Sequence, residues 1–346
     1  MLRIPRLCAQ NETNPKVGEM AIRAVPTISD VLAARDRLTG LAVVTPLIEH
    51  PVLNQITGGR ILLKAETLQR VGAFKFRGAY NAVSQIDKQQ FPGGVVACSS
   101  GNHAQGVAAA ATLCGMASVL VMPSDAPRLK LARTKAFGAE VVTFDRATED
   151  RDAIALRICE QRKAAFVHPF DDFNVIAGQG TVGLEIMEQA AAVGATPDAV
   201  LACSSGGGLV TGIALAVKAA NATTAVYCVE PTGFDDFARS LQSGKREKNA
   251  AMSGSICDAL MANSPGEINF AIAQQTMAGG LVVSDDEVRV AMRFAFLELK
   301  LVVEPGGAAA LAAILSGKIS SKGRTIVAVL SGGNADPAEF AAIING

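Results

Sequence analysis

The sequence predicts an α/β fold made of two doubly wound lobes. Strand-like apolar runs alternate with helical patterns, and three of the runs end in a Ser/Gly turn that leads into a helix, at residues 98–102, 203–208 and 330–334. The first two turns share the pentamer Ala-Cys-Ser-Ser-Gly. Such a turn leaves unpaired N–H groups aimed at one spot, and glycine lets the backbone approach a ligand. We therefore expect an anion-binding site at one edge of a parallel sheet.

Seven strands are predicted, and several are continuous Val/Ala/Leu runs typical of strands covered on both faces. They lie at 61–64, 94–98, 118–122, 140–144, 199–203, 225–229 and 325–330. Helices are predicted at 76–87, 104–113, 128–137, 147–162, 183–192, 209–219, 285–300 and 308–316. The spacing indicates a small mobile lobe at 86–172 and a large lobe made of 1–85 and 173–346. The cleft between two such lobes is a natural ligand site.

The composition excludes several classes of protein. The 346 residues include 32 basic and 32 acidic side chains, so no basic field exists to recruit nucleic acid or anionic lipid. Two long uncharged stretches, 89–124 and 199–217, each contain a Ser/Gly turn. We expect each to form a buried strand, turn and helix rather than a membrane span.

The cysteines favour a cytoplasmic protein. The chain has seven, widely spaced and without a C-x-x-C pair, which is typical of free thiols in a reducing compartment. The N-terminus carries Arg3 and Arg6 but no long apolar run, so a loose tail is expected rather than a signal peptide.

Lys75 is the strongest candidate for chemistry. It stands between Phe74 and Phe76, just after Gly72. Apolar neighbours disfavour an ammonium ion, so this lysine is expected to have a lowered pKa and to serve as a nucleophile or base. The alternative is a lysine that snorkels near a helix start. A reactive lysine beside a glycine-rich anion cradle suits pyridoxal phosphate, which needs an amine for its aldehyde and N–H donors for its phosphate.

Seven motifs, in order and spacing, carry a specific resemblance. They are Thr-Pro-Leu at 45–47, Leu-Lys-Ala-Glu at 63–66, Phe-Lys-Phe-Arg-Gly-Ala at 74–79, Ser-Ser-Gly-Asn-His at 99–103, Gly-Gln-Gly-Thr at 178–181, Ser-Gly-Gly-Gly-Leu at 205–209 and Leu-Ser-Gly-Gly-Asn at 330–334. From about Thr45 onward the chain resembles the threonine dehydratase and serine racemase family of fold type II pyridoxal-phosphate enzymes. The resemblance implies a fold like that of the tryptophan synthase β-subunit, with the cofactor in the cleft and the large lobe binding it.

The resemblance also implies a role for each cofactor contact. Lys75, beside Phe74, carries the cofactor through its amine, Asn102 bonds the phenolic oxygen and Ser331 bonds the ring nitrogen. The phosphate is cradled by the N–H groups of Gly206, Gly207, Gly208 and Leu209. A serine hydroxyl does not favour a protonated pyridine, so the ring is a weaker electron sink, which suits β-elimination.

The turn at 99–103 is implied to bind the substrate carboxylate through its N–H groups. Its members are Ser99, Ser100, Gly101, Asn102 and His103. In racemases of the family the serine that matches Ser100 faces the lysine across the cofactor and moves the α-proton on the other side. The alternative for Ser100 is a turn residue with a satisfied hydroxyl.

A cation site is also implied. The segment 230–236 resembles one where some family members bind magnesium or calcium, with carboxylates from Glu230 and Asp236 and the backbone carbonyl of Phe234. The alternative is a capped helix start with acidic residues near the helix dipole.

Three positions depart from the family pattern and bear on the choice of substrate. Ala73 stands where serine is usual, Ser205 replaces the first glycine of a four-glycine loop, and Asp258 is followed by Ala259 where glycine is common. Little sequence follows the Ser331 motif, so a C-terminal regulatory domain is not expected.

The hypothesis is an L-threonine and L-serine dehydratase that works as a homodimer. Lys75 takes the α-proton, the β-hydroxyl leaves as water with help from the cofactor phosphate, and the product hydrolyses to a 2-oxo acid and ammonia. The nearest alternatives are a serine racemase or a 3-hydroxyaspartate dehydratase on the same scaffold. β-Replacement chemistry and a non-catalytic ligand-binding module are further alternatives.

Overall fold

Two sheets organise the protein, in a computed structural model that describes residues 25–99, 101–126, 128–145 and 148–346. The strands are β1 (Leu47–Glu49), β2 (Arg60–Ala65), β3 (Val95–Cys98), β4 (Ser118–Pro123), β5 (Glu140–Phe144), β6 (Ala165–Phe166), β7 (Ala199–Cys203), β8 (Ala225–Pro231), β9 (Gly279–Val283) and β10 (Thr325–Leu330). The helices are α1 (Ile28–Leu38), α2 (Pro51–Thr57), α3 (Lys75–Val83), α4 (Asn102–Leu113), α5 (Arg128–Ala136), α6 (Arg151–Arg162), α7 (Phe173–Ala192), α8 (Gly208–Ala220), α9 (Asp236–Ser243), α10 (Glu267–Thr276), α11 (Asp285–Leu297), α12 (Pro305–Leu315) and α13 (Pro337–Asn345).

The larger sheet has six strands in the order β1-β2-β10-β7-β8-β9, parallel except for the edge strand β1. Leu330 of β10 pairs with Ala65 of β2, and Ala328 pairs with Leu201 of β7. These three strands therefore end side by side. The inner strands are almost wholly apolar and buried, because helices cover both faces.

The smaller sheet has four parallel strands in the order β5-β4-β3-β6. Its strands lie between residues 95 and 166, so they fall inside the small lobe predicted at 86–172; the lobe boundaries themselves stay a prediction. The turn at 98–102 follows β3 of this sheet, whereas the other two turns follow β7 and β10 of the larger one. The expectation of a single sheet edge was therefore wrong, because β3 pairs with β4 and β6 instead of joining the larger sheet.

All seven predicted strands are present, each within two residues of its predicted bounds. The short strands β1 and β6 and the glycine-led strand β9 were not predicted, nor were helices α1, α2, α9, α10 and α13.

Helix α7 begins at Phe173, ten residues before its predicted start at 183. A Cβ on Gly178 would lie 2.7 Å from Cα of Gly78, and one on Gly180 would lie 2.9 Å from the carbonyl oxygen of Gly212. These glycines therefore permit close packing of α7 on α3 and α8, although in the sequence they resemble helix breakers.

Helix α6 begins at Arg151 rather than at 147, which lies outside the described residues, and the Asp150 carboxylate caps it. Among the described residues, no helix combines the length and apolarity that a membrane span requires.

Candidate active site

Lys75 is the first residue of α3 and is only partly exposed. Its Nζ donates a 2.6 Å hydrogen bond to the carbonyl oxygen of Pro169 and lies 5.3 Å from the ring centroid of Phe74. Burial disfavours the ammonium form and lowers the pKa of Lys75 to about 8. The direction agrees with the prediction made from the two flanking phenylalanines.

The loop before Lys75 is joined to the turn after β10. The backbone N–H of Phe74 donates to the carbonyl oxygen of Ser331 at 3.1 Å. The N–H of Gly333 donates to the carbonyl oxygen of Gly72 at 2.9 Å. Ala73 and Gly332 form an antiparallel bridge. These bonds hold Lys75 and Ser331 within one rigid unit.

Ser331 is buried beside the end of β7. The Sγ of Cys203 donates to its Oγ at 3.2 Å. Burial raises the pKa of the Cys203 thiol to about 11, so the thiol keeps its proton at neutral pH. The thiol therefore occupies an acceptor position of the Ser331 hydroxyl and leaves the hydroxyl proton free to be donated.

The glycine turn after β7 begins helix α8. Gly207 has a φ of +104°, and the N–H groups of Gly206, Gly207, Gly208 and Leu209 form no hydrogen bond to any described residue. A Cβ on Gly206 would lie 2.1 Å from the ring of Phe170. The turn is thus packed tightly on one side and offers a row of free donors at a helix N-terminus, as an anion site requires. Ser205 accepts the N–H of Ala262 at 3.0 Å.

The turn at 99–103 begins helix α4. The N–H of Gly101 donates to Oγ of Ser99 at 3.1 Å, and Asn102 is the first residue of the helix. Ser100 lies outside the described residues, so its predicted role stays a prediction. His103 is buried, with Nε2 at 3.1 Å from the carbonyl oxygen of Val167. Burial, together with the nearby Lys75, lowers the pKa of His103 to about 3, so its imidazole is neutral.

Three residues without a predicted role are linked to Asn102 by hydrogen bonds, two of them directly and Arg133 through Asn334. The Nδ2 of Asn102 donates to Oε1 of Glu304, and Asn334 donates through Nδ2 to Oδ1 of Asn102 at 2.9 Å. Arg133, on α5 next to the small sheet, donates through Nη1 to Oδ1 of Asn334 at 2.9 Å. The two sheets therefore meet at Asn102, with residues from both around it.

Glu304 is 2% exposed, and its Oε2 has no hydrogen-bond partner among the described residues. Burial raises the pKa of Glu304 to about 6, although Lys130 opposes the shift. Lys130 itself forms a 2.7 Å ion pair with Asp258. Glu304, Lys130, Asp258 and Asn334 all line a cavity of about 720 Å³.

The sequence contains only weak signals for these residues. Glu304 precedes Pro305, which marks a helix start but not a site. Asn334 ends its Ser/Gly turn as Asn102 ends the first one, and that parallel points to it.

The residues of the predicted cation site lie together at the start of α9. Glu230 is buried and accepts the N–H groups of Phe237 and Ala238 at 3.1 and 2.8 Å. Asp236 accepts the side-chain amide of Asn249 through Oδ1 at 2.6 Å, while its Oδ2 has no partner among the described residues. Phe234 is also buried.

Burial raises the pKa of Glu230 well above its usual range, with Asp236 adding to the shift. Burial also raises the pKa of Asp236, to about 6. In the described part of the chain no three His, Cys, Asp or Glu side chains are grouped as metal ligands, so the cation stays a prediction.

Comparisons with known proteins show the family of the chain. The family described as "Pyridoxal-phosphate dependent enzyme" matches residues 38–332. The chain is 40% identical over 317 residues to an L-threo-3-hydroxyaspartate ammonia-lyase of a Pseudomonas species, covering 92% of this chain and 98% of the relative. It is 34% identical over 325 residues to a serine racemase of Dictyostelium discoideum, covering 93% and 99%. The crystal structure of a threonine deaminase from T.th. matches with a TM-score of 0.85 and 43% identity, covering 90% and 99%. The chain belongs to the family of pyridoxal-phosphate dependent enzymes.

Proposed function

We propose that the protein is a pyridoxal-phosphate-dependent lyase that removes water from L-threonine and L-serine. The observation that carries the proposal is the placement of Lys75. This partly buried amine is bonded into the same unit as Ser331, and the glycine turn with free N–H groups starts from the neighbouring strand. The similarity to a threonine deaminase at 43% identity supports the choice of substrate.

The residues fit the cofactor. The free N–H groups from Gly206 to Leu209 match a phosphate, and the amine of Lys75 has no carboxylate partner among the described residues that would hold it as an ammonium ion. In this proposal Lys75, beside Phe74, binds the cofactor through its amine. Asn102 donates to the phenolic oxygen and Ser331 bonds the ring nitrogen. When bound, pyridoxal phosphate supplies an electron-withdrawing ring that acidifies the α-proton of the amino acid.

Residues of the chain supply the remaining roles in the reaction. Lys75 accepts the α-proton, and its lowered pKa suits a base near neutral pH. The α-carboxylate of the substrate binds at the N-terminus of α4, through the turn that contains Ser99, Gly101 and His103. Neutral His103 adds no cation there. The hydroxyl of Ser331 keeps the ring nitrogen from carrying a full positive charge.

The alternatives are a serine racemase and a 3-hydroxyaspartate ammonia-lyase. Relatives with those names are 34% and 40% identical to this chain, and the same residues suit all three reactions. The racemase requires a second base across the cofactor from Lys75, and Ser100 is the residue proposed for that role.

Three further properties are part of the proposal. A magnesium or calcium ion held by Glu230, Asp236 and the carbonyl of Phe234 fits two observations: the carboxylates are buried together, and Oδ2 of Asp236 lacks a partner among the described residues. A homodimer and a cytoplasmic location are expected from the family resemblance and from the cysteine pattern.

The test is an absorbance spectrum of the pure protein with pyridoxal phosphate, recorded before and after L-threonine is added. A visible band that shifts with L-threonine, with 2-oxobutanoate accumulating, supports the dehydratase. A shift only with serine, together with formation of D-serine, favours the racemase. A shift only with 3-hydroxyaspartate favours the second alternative. A protein that acquires no band even with excess cofactor overturns the proposal.

A further inference from the structure

A one-way chain of hydrogen bonds crosses the site from a cation to a carboxylate. Arg133 donates to Oδ1 of Asn334, Nδ2 of Asn334 donates to Oδ1 of Asn102, and Nδ2 of Asn102 donates to Glu304. The first two distances are both 2.9 Å. Arg133 and Glu304 can act only as donor and acceptor respectively when charged, so the chain has a fixed direction.

Asn334 is the most constrained member of the chain. It is 6% exposed, and its Nδ2 also donates to the carbonyl oxygen of Val71 at 2.7 Å. Val71 has a φ of +58°, an outlier for a β-branched residue. A Cβ on Gly72 would lie 2.7 Å from Oδ1 of Asn334. The loop before Lys75 is therefore shaped around the Asn334 amide, and the amide meets acceptors on one side and a donor on the other.

This arrangement decides which way the Asn102 amide faces. Because Asn334 presents N–H to it, Asn102 must present its oxygen in return, and its NH₂ group then faces Glu304. An amide nitrogen carries two hydrogens, and Glu304 takes only one of them. The reverse orientation would bring the oxygen of Asn102 against the Glu304 carboxylate and its NH₂ against the NH₂ of Asn334.

We propose that Asn334 is a positioning residue that presents an N–H of Asn102 to the phenolic oxygen of the cofactor, and that Arg133 fixes the orientation of Asn334. The inference rests on the proposed function, in which Asn102 bonds that oxygen. Neither residue touches the reacting atoms. The charged groups that face Asn102 and its partners are Glu304, Lys130 with Asp258, and Arg133.

The experiment measures two properties of the cofactor-loaded protein that do not depend on turnover. The first is the midpoint pH at which the visible band titrates, and the second is the dissociation constant of pyridoxal phosphate. The titrating proton is shared between the cofactor-bound amine and the phenolic oxygen. An N–H donor beside that oxygen stabilises the form that has lost the proton, because that form carries uncompensated negative charge. Losing the donor therefore raises the midpoint.

Asn334→Asp is the sharpest variant because it keeps the shape of the side chain and removes its N–H. Asn102 then turns to donate to the carboxylate that replaces the Asn334 amide, and the phenolic oxygen loses its donor. We expect the midpoint to rise by about one pH unit and the dissociation constant to rise about tenfold.

Two variants of Arg133 test its part in the inference. Arg133→Met, which releases Asn334 without altering it, is expected to shift both properties in the same direction by about a third as much. Arg133→Lys keeps a donor and restores the wild-type values. The control is Lys135→Met, a change at an exposed lysine on the same helix.

A purely structural role gives a different pattern. It lowers the melting temperature of the variants and leaves the midpoint of the folded protein unchanged. An unchanged midpoint in folded Asn334→Asp protein overturns the inference while leaving the proposed function intact. If that variant does not fold, an unchanged midpoint in Arg133→Met overturns the inference instead. Wild-type protein that binds no cofactor overturns this inference and the proposed function together.

Discussion

The Nζ of Lys75 donates to the carbonyl oxygen of Pro169 at 2.6 Å, and the next residue, Phe170, packs its ring against the glycine turn at Gly206. The amine and the row of free N–H groups are thus held by the same short segment. In the proposed function, this segment sets the separation between the amine and the N–H groups that would bind the phosphate.

Lys75→Ala is expected to abolish the visible band and to lower turnover more than about 10³-fold, because the proposed covalent anchor and base are lost together. Absorbance spectra and a 2-oxo acid assay test this. Lys88→Ala, a change at an exposed lysine elsewhere, serves as the control and leaves both properties intact. Wild-type turnover in the Lys75 variant would show that the lysine is structural.

The rate of cofactor capture by the apoprotein is expected to rise with pH through a midpoint of about 8, the pKa of Lys75. Only the neutral amine attacks an aldehyde, and burial favours the neutral form, so half of the sites are reactive near pH 8 instead of near the ordinary lysine value of about 10.4. Stopped-flow absorbance at several pH values measures the midpoint. A midpoint near that of an exposed lysine contradicts the prediction.

Gly207→Ala is expected to destabilise the protein by about 2–5 kcal/mol and to weaken cofactor binding. The new Cβ would lie 2.3 Å from the ring of Phe237, and the φ of +104° is unfavourable for alanine. The matched control is Gly244→Ala, where φ is +74° and a Cβ meets nothing within 4 Å. The control carries only the backbone cost, about 1–2 kcal/mol. Urea unfolding measures the free energy of unfolding of the two variants. If both variants lose the same amount of stability, the clash with Phe237 makes no contribution.

Arg77→Met is expected to cost about 3–5 kcal/mol of stability at pH 7.5, because it leaves the fully buried carboxylate of Glu66 without its main partner. The comparison is Arg35→Met, which breaks an exposed pair with Glu188 and costs under about 1 kcal/mol. Urea unfolding measures the free energy of unfolding of both variants.

The effect of Arg77→Met also has a predicted pH dependence. Burial alone raises the pKa of Glu66, but the Arg77 guanidinium holds it below its usual value. A lowered carboxyl pKa contributes stability that is lost as pH falls, whereas an unpaired buried carboxyl gains stability on protonation. The difference in the free energy of unfolding between wild type and variant should therefore become smaller as the pH falls from 7.5 to 5.5. A gap that widens would contradict the assignment.

The inner strands and the lowered pKa of Lys75 could be predicted because both follow from residues close by in the sequence. Continuous apolar runs such as 199–203 can be buried only as strands or helices covered on both sides, and the turn that follows fixes the choice. The ring centroid of Phe74 lies 5.3 Å from the Lys75 amine, and burial lowers the pKa of that amine. The start of α7 was missed because the packing that explains Gly178 and Gly180 comes from α3 and α8, far away in the sequence.

By itself, the sequence determined the alternation of strands and helices, the three Ser/Gly turns and the expectation of a lowered pKa at Lys75, since each depends on neighbours within a few residues. Only the tertiary structure decided that the first turn belongs to a separate sheet and that Asn102 meets Glu304 and Asn334, more than two hundred residues further along the chain. Those contacts depend on how the helices around the two sheets pack, among them α3 against α4. Hydrogen-bond direction between distant side chains is a property of that packing, and no local pattern encodes it.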